Sequence, residues 1–235
     1  MWFRLKQALK ARLQITQKAL RKWRRKRFSV ITPTFNSGPK LAATIDSVLA
    51  QNKKLFEYII VDGGSTDETL SIIRKYGRRI KWISEKDRGV YDAMNKGIAK
   101  AKGEYLYFLG AGDLLRANIF ERVDQIIGDV PLTFVYGNVN WVGREVIYFG
   151  EFDADMLAKS NICHQSIFYE RTIFDLLGKY DLRYPKLADY AFNLRCFADD
   201  RIRKLYIAEI IADYEGGGLS TDLDVNFVKD FRREK

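Results

Sequence analysis

Two carboxylates in this chain stand where a sheet would present them to a ligand. Asp62 closes the run Glu57-Tyr58-Ile59-Ile60-Val61 and is followed by Gly63-Gly64. Asp113 follows Gly110-Ala111-Gly112, directly after Glu104-Tyr105-Leu106-Tyr107-Phe108-Leu109. A third apolar run, Phe28-Ser29-Val30-Ile31-Thr32, leads into Pro33-Thr34-Phe35-Asn36. Ligands of open α/β sheets bind outside the carboxyl ends of the strands, so these three segments are expected to share one rim. The glycines beside Asp113 let a ligand come close to the backbone. A carboxylate so placed suits a hard divalent cation whose shell is completed by substrate phosphates. Asp62 and Asp67 have a second reading, as caps of the following helix. His164, the single histidine, reads either as structural or as an imidazole that completes a metal shell or touches a diphosphate. Gln165 beside it is placed to orient an acceptor. Gly216-Gly217-Gly218 with Ser220 reads as a loop closing over phosphates through its N–H groups, or as a plain turn.

Other chemistries are disfavoured by what is missing. No G-x-x-x-x-G-K-[ST] loop occurs. Gly110-Ala111-Gly112 begins like a dinucleotide fingerprint, but Leu115 takes the third glycine position. No G-x-S-x-G elbow supports an esterase. One histidine and two cysteines, Cys163 and Cys196, cannot build a multi-histidine or four-thiolate metal site, and they fit a reduced compartment.

The elements that must carry these residues alternate. Strands are predicted at 28–32, ended by Pro33, and at 57–62, 80–84 and 104–109. Helical spacing joins Leu41, Ile45, Val48 and Leu49; then Leu70, Ile73 and Tyr76; then Tyr91, Met94, Ile98 and Ala101; then Phe120, Val123, Ile126 and Ile127. Ser65-Thr66-Asp67-Glu68 reads as a capping box for the second of these helices. Such alternation predicts an α/β domain around a mostly parallel sheet. After Val130 the pattern loosens: strands are expected at 133–139 and 145–149, a short apolar strand before His164, and a helix over 187–197.

With 235 residues and 27.3 kDa the chain suits one domain with an appendage. Its net charge is +10, but residues 1–27 carry eleven Lys or Arg and no acid, so +10 less eleven leaves the rest at −1. On a helix Trp2, Leu5, Leu9, Leu13, Thr16, Leu20 and Trp23 form one apolar stripe. A cationic amphipathic arm of this kind suits an anionic bilayer surface; packing on its own domain or on a twin subunit in a homodimer is the competing reading. Nucleic acid is disfavoured as a partner, because the body offers no basic face. No apolar run is long enough to span a membrane.

In order and spacing, SVITPTFNSGPKLAATIDSVLAQ, EYIIVDGGSTDET and KGIAKAKGEYLYFLGAGD resemble the inverting glycosyltransferases of family 2, with the GT-A fold, over about Phe28–Ser220. SEKDRGVYDAMNKGIAKAKGEYLYFLGAGD, CHQSIFYERTIF and IADYEGGGLS are closest to a bacterial exopolysaccharide and colanic-acid-type subgroup. The resemblance implies a Rossmann-like mixed sheet, a nucleoside-diphosphate-sugar donor of UDP, GDP or dTDP type, Mn2+ or Mg2+, and a glycan or lipid-linked glycan acceptor. It places the protein in the cytoplasm, peripheral on the inner face of the membrane. Residues 28–129 would form the nucleotide-binding half and 130–235 the acceptor-binding half. Thr34, Phe35, Asp62 and Asp87 match the nucleotide pocket, with Asn36, Asn95 and Gly112 in the same donor set. Asp113 matches the last acid of the D-x-D element, with His164 as the further candidate metal ligand. Asp189 matches the catalytic base; on the residues alone it reads rather as a cap of the following helix. Gln165, Gly217 and Ser220 fall to the acceptor or loop. Two departures stand out: the usual D-D-x-S is Asp62-Gly63-Gly64-Ser65, and the usual D-x-D-D is Gly110-Ala111-Gly112-Asp113. Transfer to a polyprenyl phosphate, and a non-catalytic sugar-nucleotide-binding module, are the alternative functions.

Overall fold

A period of two builds the centre of the molecule. In β1 (Phe28–Thr34) Phe28 and Val30 pack on one face and Ile31 on the other; in β2 (Phe56–Asp62) Phe56, Tyr58 and Ile60 oppose Ile59 and Val61. Every residue of both strands is buried, as expected of parallel strands covered by helices on both faces. The computed structural model describes residues 26–144, 146–148, 150–216 and 224–231. The arm predicted over 1–27 lies outside the described residues except for Lys26 and Arg27. Those two are docked on the body: Lys26 Nζ donates to Lys53 O, and the Arg27 guanidinium pairs with Glu104, Asp124 and Asp129.

The first half alternates as the spacing predicts: α1 (Gly38–Leu49), α2 (Thr69–Lys75), β3 (Lys81–Ser84), α3 (Val90–Lys100), β4 (Tyr105–Phe108), the two-residue β5 (Leu114–Leu115) and α4 (Ile119–Ile127). The second half adds β6 (Thr133–Trp141), β7 (Val146–Tyr148), α5 (Ala154–Lys159), β8 (Ile167–Glu170), α6 (Thr172–Leu177), α7 (Ala188–Ala198), β9 (Arg203–Tyr214) and α8 (Val225–Phe231). One mixed sheet runs β3-β2-β1-β4-β8-β6-β9-β5, with β7 on β6. Its first four strands are mutually parallel; β8 is antiparallel to β4 and to β6, and β9 runs parallel to β6. Both halves of the chain therefore share one sheet. Leu41, Ile45, Ile73, Phe120 and Val123 cover one face; Tyr91, Met94, Ile98, Phe174 and Phe192 cover the other. Each such side chain, fully buried, stabilises by about 1.5–3 kcal/mol.

Three local expectations are corrected. Pro33 does not end β1, which continues to Thr34 paired with Asp62; the ring removes only one donor, and Gly63 N still reaches Thr34 O at 2.9 Å. The capping box does not form. Helix α2 begins at Thr69 and Glu68 makes no cap bond, Ser65 Oγ donating to Asp62 instead; the first turn is served by Asp67, whose Oδ1 accepts from Thr69 N at 3.0 Å. His164 precedes a strand rather than following one: it opens a single 3-10 turn, His164–Ser166, that leads into β8.

Candidate active site

The strand order reverses direction at β1, flanked by β2 and β4. Beyond the carboxyl ends of β1 and β4 lies a cleft of about 1030 Å³. Pro33, Thr34 and Phe35 reach it from β1; Gly110, Ala111 and Asp113 follow β4; Asp87 precedes α3; Asn161 to Gln165 follow α5; and Asp189 enters from the first turn of α7. Phe35 is 60% exposed, an aromatic face left open at the mouth. The Thr34 hydroxyl oxygen and His164 Nε2 are buried and have no hydrogen-bond partner. An unsatisfied buried polar atom costs about 1–3 kcal/mol, and both residues line the same cleft.

Asp113 is buried and fixed at both oxygens. Oδ2 accepts from Gln165 Nε2 at 2.6 Å and Oδ1 from the Glu215 backbone N–H at 3.0 Å. Burial pushes its carboxyl above the ordinary aspartate range, against those two hydrogen bonds. Gln165 is thereby accounted for: it holds Asp113, and its Oε1 accepts from Cys163 Sγ at 2.8 Å. Gln165 also lines the cleft. Beside Asp113, the Lys40 ammonium pairs with Glu215 at 2.8 Å.

Asp189 is also buried. Its Oδ1 lies 2.6 Å from the Tyr91 hydroxyl, its Oδ2 accepts from Asn161 Nδ2 at 3.0 Å, and His164 Nδ1 lies 3.7 Å from Oδ2. The capping alternative fails, since the start of α7 has no side-chain cap. A carboxylate offers about four lone-pair sites, so two remain for a proton from the cleft. Burial, then the charge of Asp189, pushes the Tyr91 hydroxyl well above its usual range.

Not every predicted donor residue reaches the cleft. Asp62 is fully buried and organises its own turn, accepting from Gly64 N, Ser65 N, Ser65 Oγ and Ser84 Oγ. Asn36, in a left-handed conformation at φ 46°, accepts from Thr66 N and ties the β1 and β2 loops together. Asn95 faces away: its amide makes a reciprocal pair with the Tyr180 main chain at 2.9 and 3.0 Å. Gly112 lies beside the cleft rather than on its wall, donating to Thr44 Oγ1. Gly217 and Ser220 lie outside the described residues. Tyr91, Asn161, Lys40, Glu215 and Trp141 line the cleft without having been singled out. By its helical spacing with Met94, Ile98 and Ala101, Tyr91 is indistinguishable from its apolar neighbours on α3; only its hydroxyl, bonded to Asp189, sets it apart.

The sequence profile described as Glycosyl transferase family 2 matches residues 29–176. The chain belongs to glycosyltransferase family 2. It is 45% identical over 211 residues to a PGL/p-HBAD biosynthesis glycosyltransferase of Mycobacterium tuberculosis, covering 86% of this chain and 82% of that one. It is 32% identical to the poly(ribitol-phosphate) β-N-acetylglucosaminyltransferase TarP of Staphylococcus aureus, covering 86% and 63%. In fold it is similar to residues 1–349 of S. aureus TarS in complex with UDP-GlcNAc (TM-score 0.70, 19% identity, 84% of this chain and 61% of that one). It is also similar to a Pyrobaculum calidifontis mannosyltransferase in complex with GDP-Man and Mn2+ (TM-score 0.64, 19% identity, 81% and 57%). The chain thus spans about three fifths of these two structures, which share its GT-A sheet. As a family 2 glycosyltransferase it is an enzyme with relatives in glycan biosynthesis. Among the described residues no helix is long and apolar enough to cross a membrane.

The residues present fit a cation held largely by substrate. No cluster of three His, Cys, Asp or Glu side chains suited to a metal occurs among the described residues. Asp113 with unused lone pairs and His164 with an unpartnered Nε2 both line the cleft, and a hard cation completed by diphosphate oxygens needs few protein donors.

Proposed function

We propose that this enzyme transfers a sugar, with inversion, from a nucleoside-diphosphate-sugar to a hydroxyl of a glycan or lipid-linked glycan acceptor. The observation that carries the reading is two buried carboxylates, Asp113 and Asp189, lining one cleft at the carboxyl rim of the sheet. Thr34, Phe35 and Asp87 would receive the nucleoside, with the exposed Phe35 ring offered to a base and Thr34 Oγ1 satisfied by ligand. Asp113, with His164, would hold Mn2+ or Mg2+, which when bound supplies positive charge to the departing diphosphate. Asp189 takes the acceptor proton as the acceptor oxygen bonds to C1 and the C1–phosphate bond breaks. A single displacement inverts C1. General-base help of this kind is worth about 10²–10⁴-fold.

Residues 28–129 would serve the donor and 130–235 the acceptor. TarP, named for poly(ribitol-phosphate), supports a polymeric acceptor. The basic arm supports an acceptor presented at the inner face of a membrane. Neither that name nor PGL/p-HBAD favours the exopolysaccharide subgroup.

The test is thermal stabilisation by UDP, GDP, dTDP and CDP, each with Mn2+ and again with EDTA. A ligand at a hundredfold excess over Kd adds about 2.7 kcal/mol. One nucleotide should stabilise the wild type in a metal-dependent way, fail to do so for Asp113→Ala, and still do so for Asp189→Asn. No stabilisation by any of the four would sink the reading. An Asp189→Asn variant that binds nucleotide and transfers at the wild-type rate would point to a phosphate acceptor, which is already ionised and needs no base.

A further inference from the structure

Helix α7 buries an asparagine where an apolar residue would pack. Asn193 is fully buried, one turn beyond Asp189 on the same helix. Both ends of its amide are bonded: Oδ1 accepts from the Tyr169 hydroxyl of β8 at 2.7 Å, and Nδ2 donates to Asn161 Oδ1 at 2.8 Å. Asn161 in turn donates through Nδ2 to Asp189 Oδ2. The polarity of this chain is fixed from its carboxylate end, because an ionised carboxylate only accepts. The NH2 of Asn161 must face Asp189, so its oxygen faces the NH2 of Asn193, and the oxygen of Asn193 is left to accept from the Tyr169 hydroxyl. Flipping either amide would set oxygen against oxygen. On the other side, the single proton of the Tyr91 hydroxyl goes to Asp189 Oδ1 at 2.6 Å, shorter and charge-assisted compared with Lys186 O at 3.0 Å.

We infer that Tyr91 and the Asn161–Asn193–Tyr169 chain are positioning residues for the transfer reaction, clamping the Asp189 carboxylate at both oxygens so that its remaining lone pairs face the acceptor. The inference rests on the reading of Asp189 as the base. Burying a polar chain through a core costs stability unless every member is satisfied, and here each bond is compatible only with a carboxylate acceptor at its end on the cleft wall. A carboxylate held by only one donor can rotate, and small misplacements of a reacting group cost rate out of proportion to their size.

The experiment follows release of nucleoside diphosphate from UDP-GlcNAc, GDP-mannose, dTDP-glucose or CDP-glucose, whichever base the stabilisation experiment selects, with water and n-octyl glucoside as acceptors. Tyr91→Phe and Asn161→Ala, which loosen opposite oxygens, should each lower kcat about ten- to a hundredfold, within the range a general base supplies. The donor KM and the nucleotide Kd should stay within about twofold, since neither side chain serves the nucleotide. The decisive arm is the Asp189→Asn background. Residues that act only through Asp189 lose their effect once it is gone, so Asp189→Asn with Tyr91→Phe should turn over at the Asp189→Asn rate. Multiplying losses in that background would show a merely structural role and overturn the inference. Wild-type kcat in both single variants, with Asp189→Asn inactive, would overturn it while leaving the base in place. Wild-type turnover by Asp189→Asn, or none by the wild type, would instead remove the underlying reading.

Discussion

Gly63, Gly110 and Gly112 are the three positions at which an acid of the family pattern is missing, and at each the space a side chain would take borders another carboxylate. A Cβ on Gly63 would lie 2.5 Å from Asp87 Oδ2, one on Gly110 2.7 Å from Asp113 Oδ2, and one on Gly112 2.6 Å from Glu215 Oε2. Of these three carboxylates only Glu215 lies outside the family's own set of acids. Each departure was visible in the motif; the approach of Glu215 was not, because it depends on loops that meet only in the folded sheet. Gly63→Ala must turn the Asp87 carboxylate aside, because the new Cβ would sit 2.5 Å from its Oδ2. The end of a half-buried side chain can move, so the melting temperature should change little, while nucleotide affinity should fall measurably by titration. Asp113 gives a prediction with a sign. Burial raises its folded pKa above 3.8, so its contribution to stability is fully present below that value and is lost as pH rises through the folded value. Cation binding needs the carboxylate and should appear over the same rise. Thermal unfolding against pH should therefore show the wild type losing stability relative to Asp113→Asn as pH increases, while only the wild type gains metal-dependent nucleotide binding.

At the scale of elements, the clamp at the opposite, amino end of the parallel strands is as specific as the cleft. Glu57 of β2 is buried. It accepts from Ser29 Oγ at 2.6 Å, from the Lys102 and Gly103 backbone N–H groups at 2.5 and 3.2 Å, and from Lys81 Nζ at 2.7 Å. One side chain thus ties β1, β2, β3 and the entry to β4. Burial alone would raise its pKa, but the bonds from Lys81, Ser29 and Lys102 outweigh burial and leave it lowered from 4.5. Its stabilisation is present above 4.5 and lost as pH falls through the lowered folded value. Glu57→Gln keeps an oxygen for Ser29, Lys102 and Gly103 but turns an NH2 toward the Lys81 ammonium, and should cost about 1 kcal/mol at neutral pH, with a shallower acid-unfolding profile by circular dichroism. The four parallel strands were legible because their apolar runs are short, alternate with helical spacing and end at glycine or polar turns. The 12-residue β9 was not. It pairs with β6 through register shifts around Tyr136 and Asn138, so no single period carries across it. Ser65-Thr66-Asp67-Glu68 misled for a different reason: the same serine hydroxyl can cap a helix or serve a buried aspartate, and Asp62 is the stronger acceptor.

For the whole molecule, charge separates arm from body. Residues 28–235 carry −1 in total, and Arg27 is already neutralised by Glu104, Asp124 and Asp129. The boundary that matters therefore lies one or two residues earlier than composition alone suggested. Tyr105 N donates to Arg27 O and Glu104 N to Lys26 O, so the chain there is held against the sheet. A cut after residue 27 would strip these bonds and unseat β1; a cut after residue 25 spares them and still removes nine Lys or Arg. Each basic residue near an anionic surface is worth about 1 kcal/mol, and that attraction is screened at high salt. If the arm is a membrane contact, the full chain should co-sediment with vesicles containing phosphatidylserine or phosphatidylglycerol but not with zwitterionic ones. Binding should fall steeply between low and high salt, leaving the part that Trp2, Trp23 and the leucine stripe supply. Removal of residues 1–25 should abolish co-sedimentation while leaving Tm and metal-dependent nucleotide stabilisation within error, because cleft and clamp lie wholly in the body. Equal vesicle binding by the truncated chain would place the contact on the domain itself. Loss of Tm on truncation, with no vesicle binding by either form, would show that the arm packs on its own body or on a second copy, and sedimentation velocity would tell those two apart.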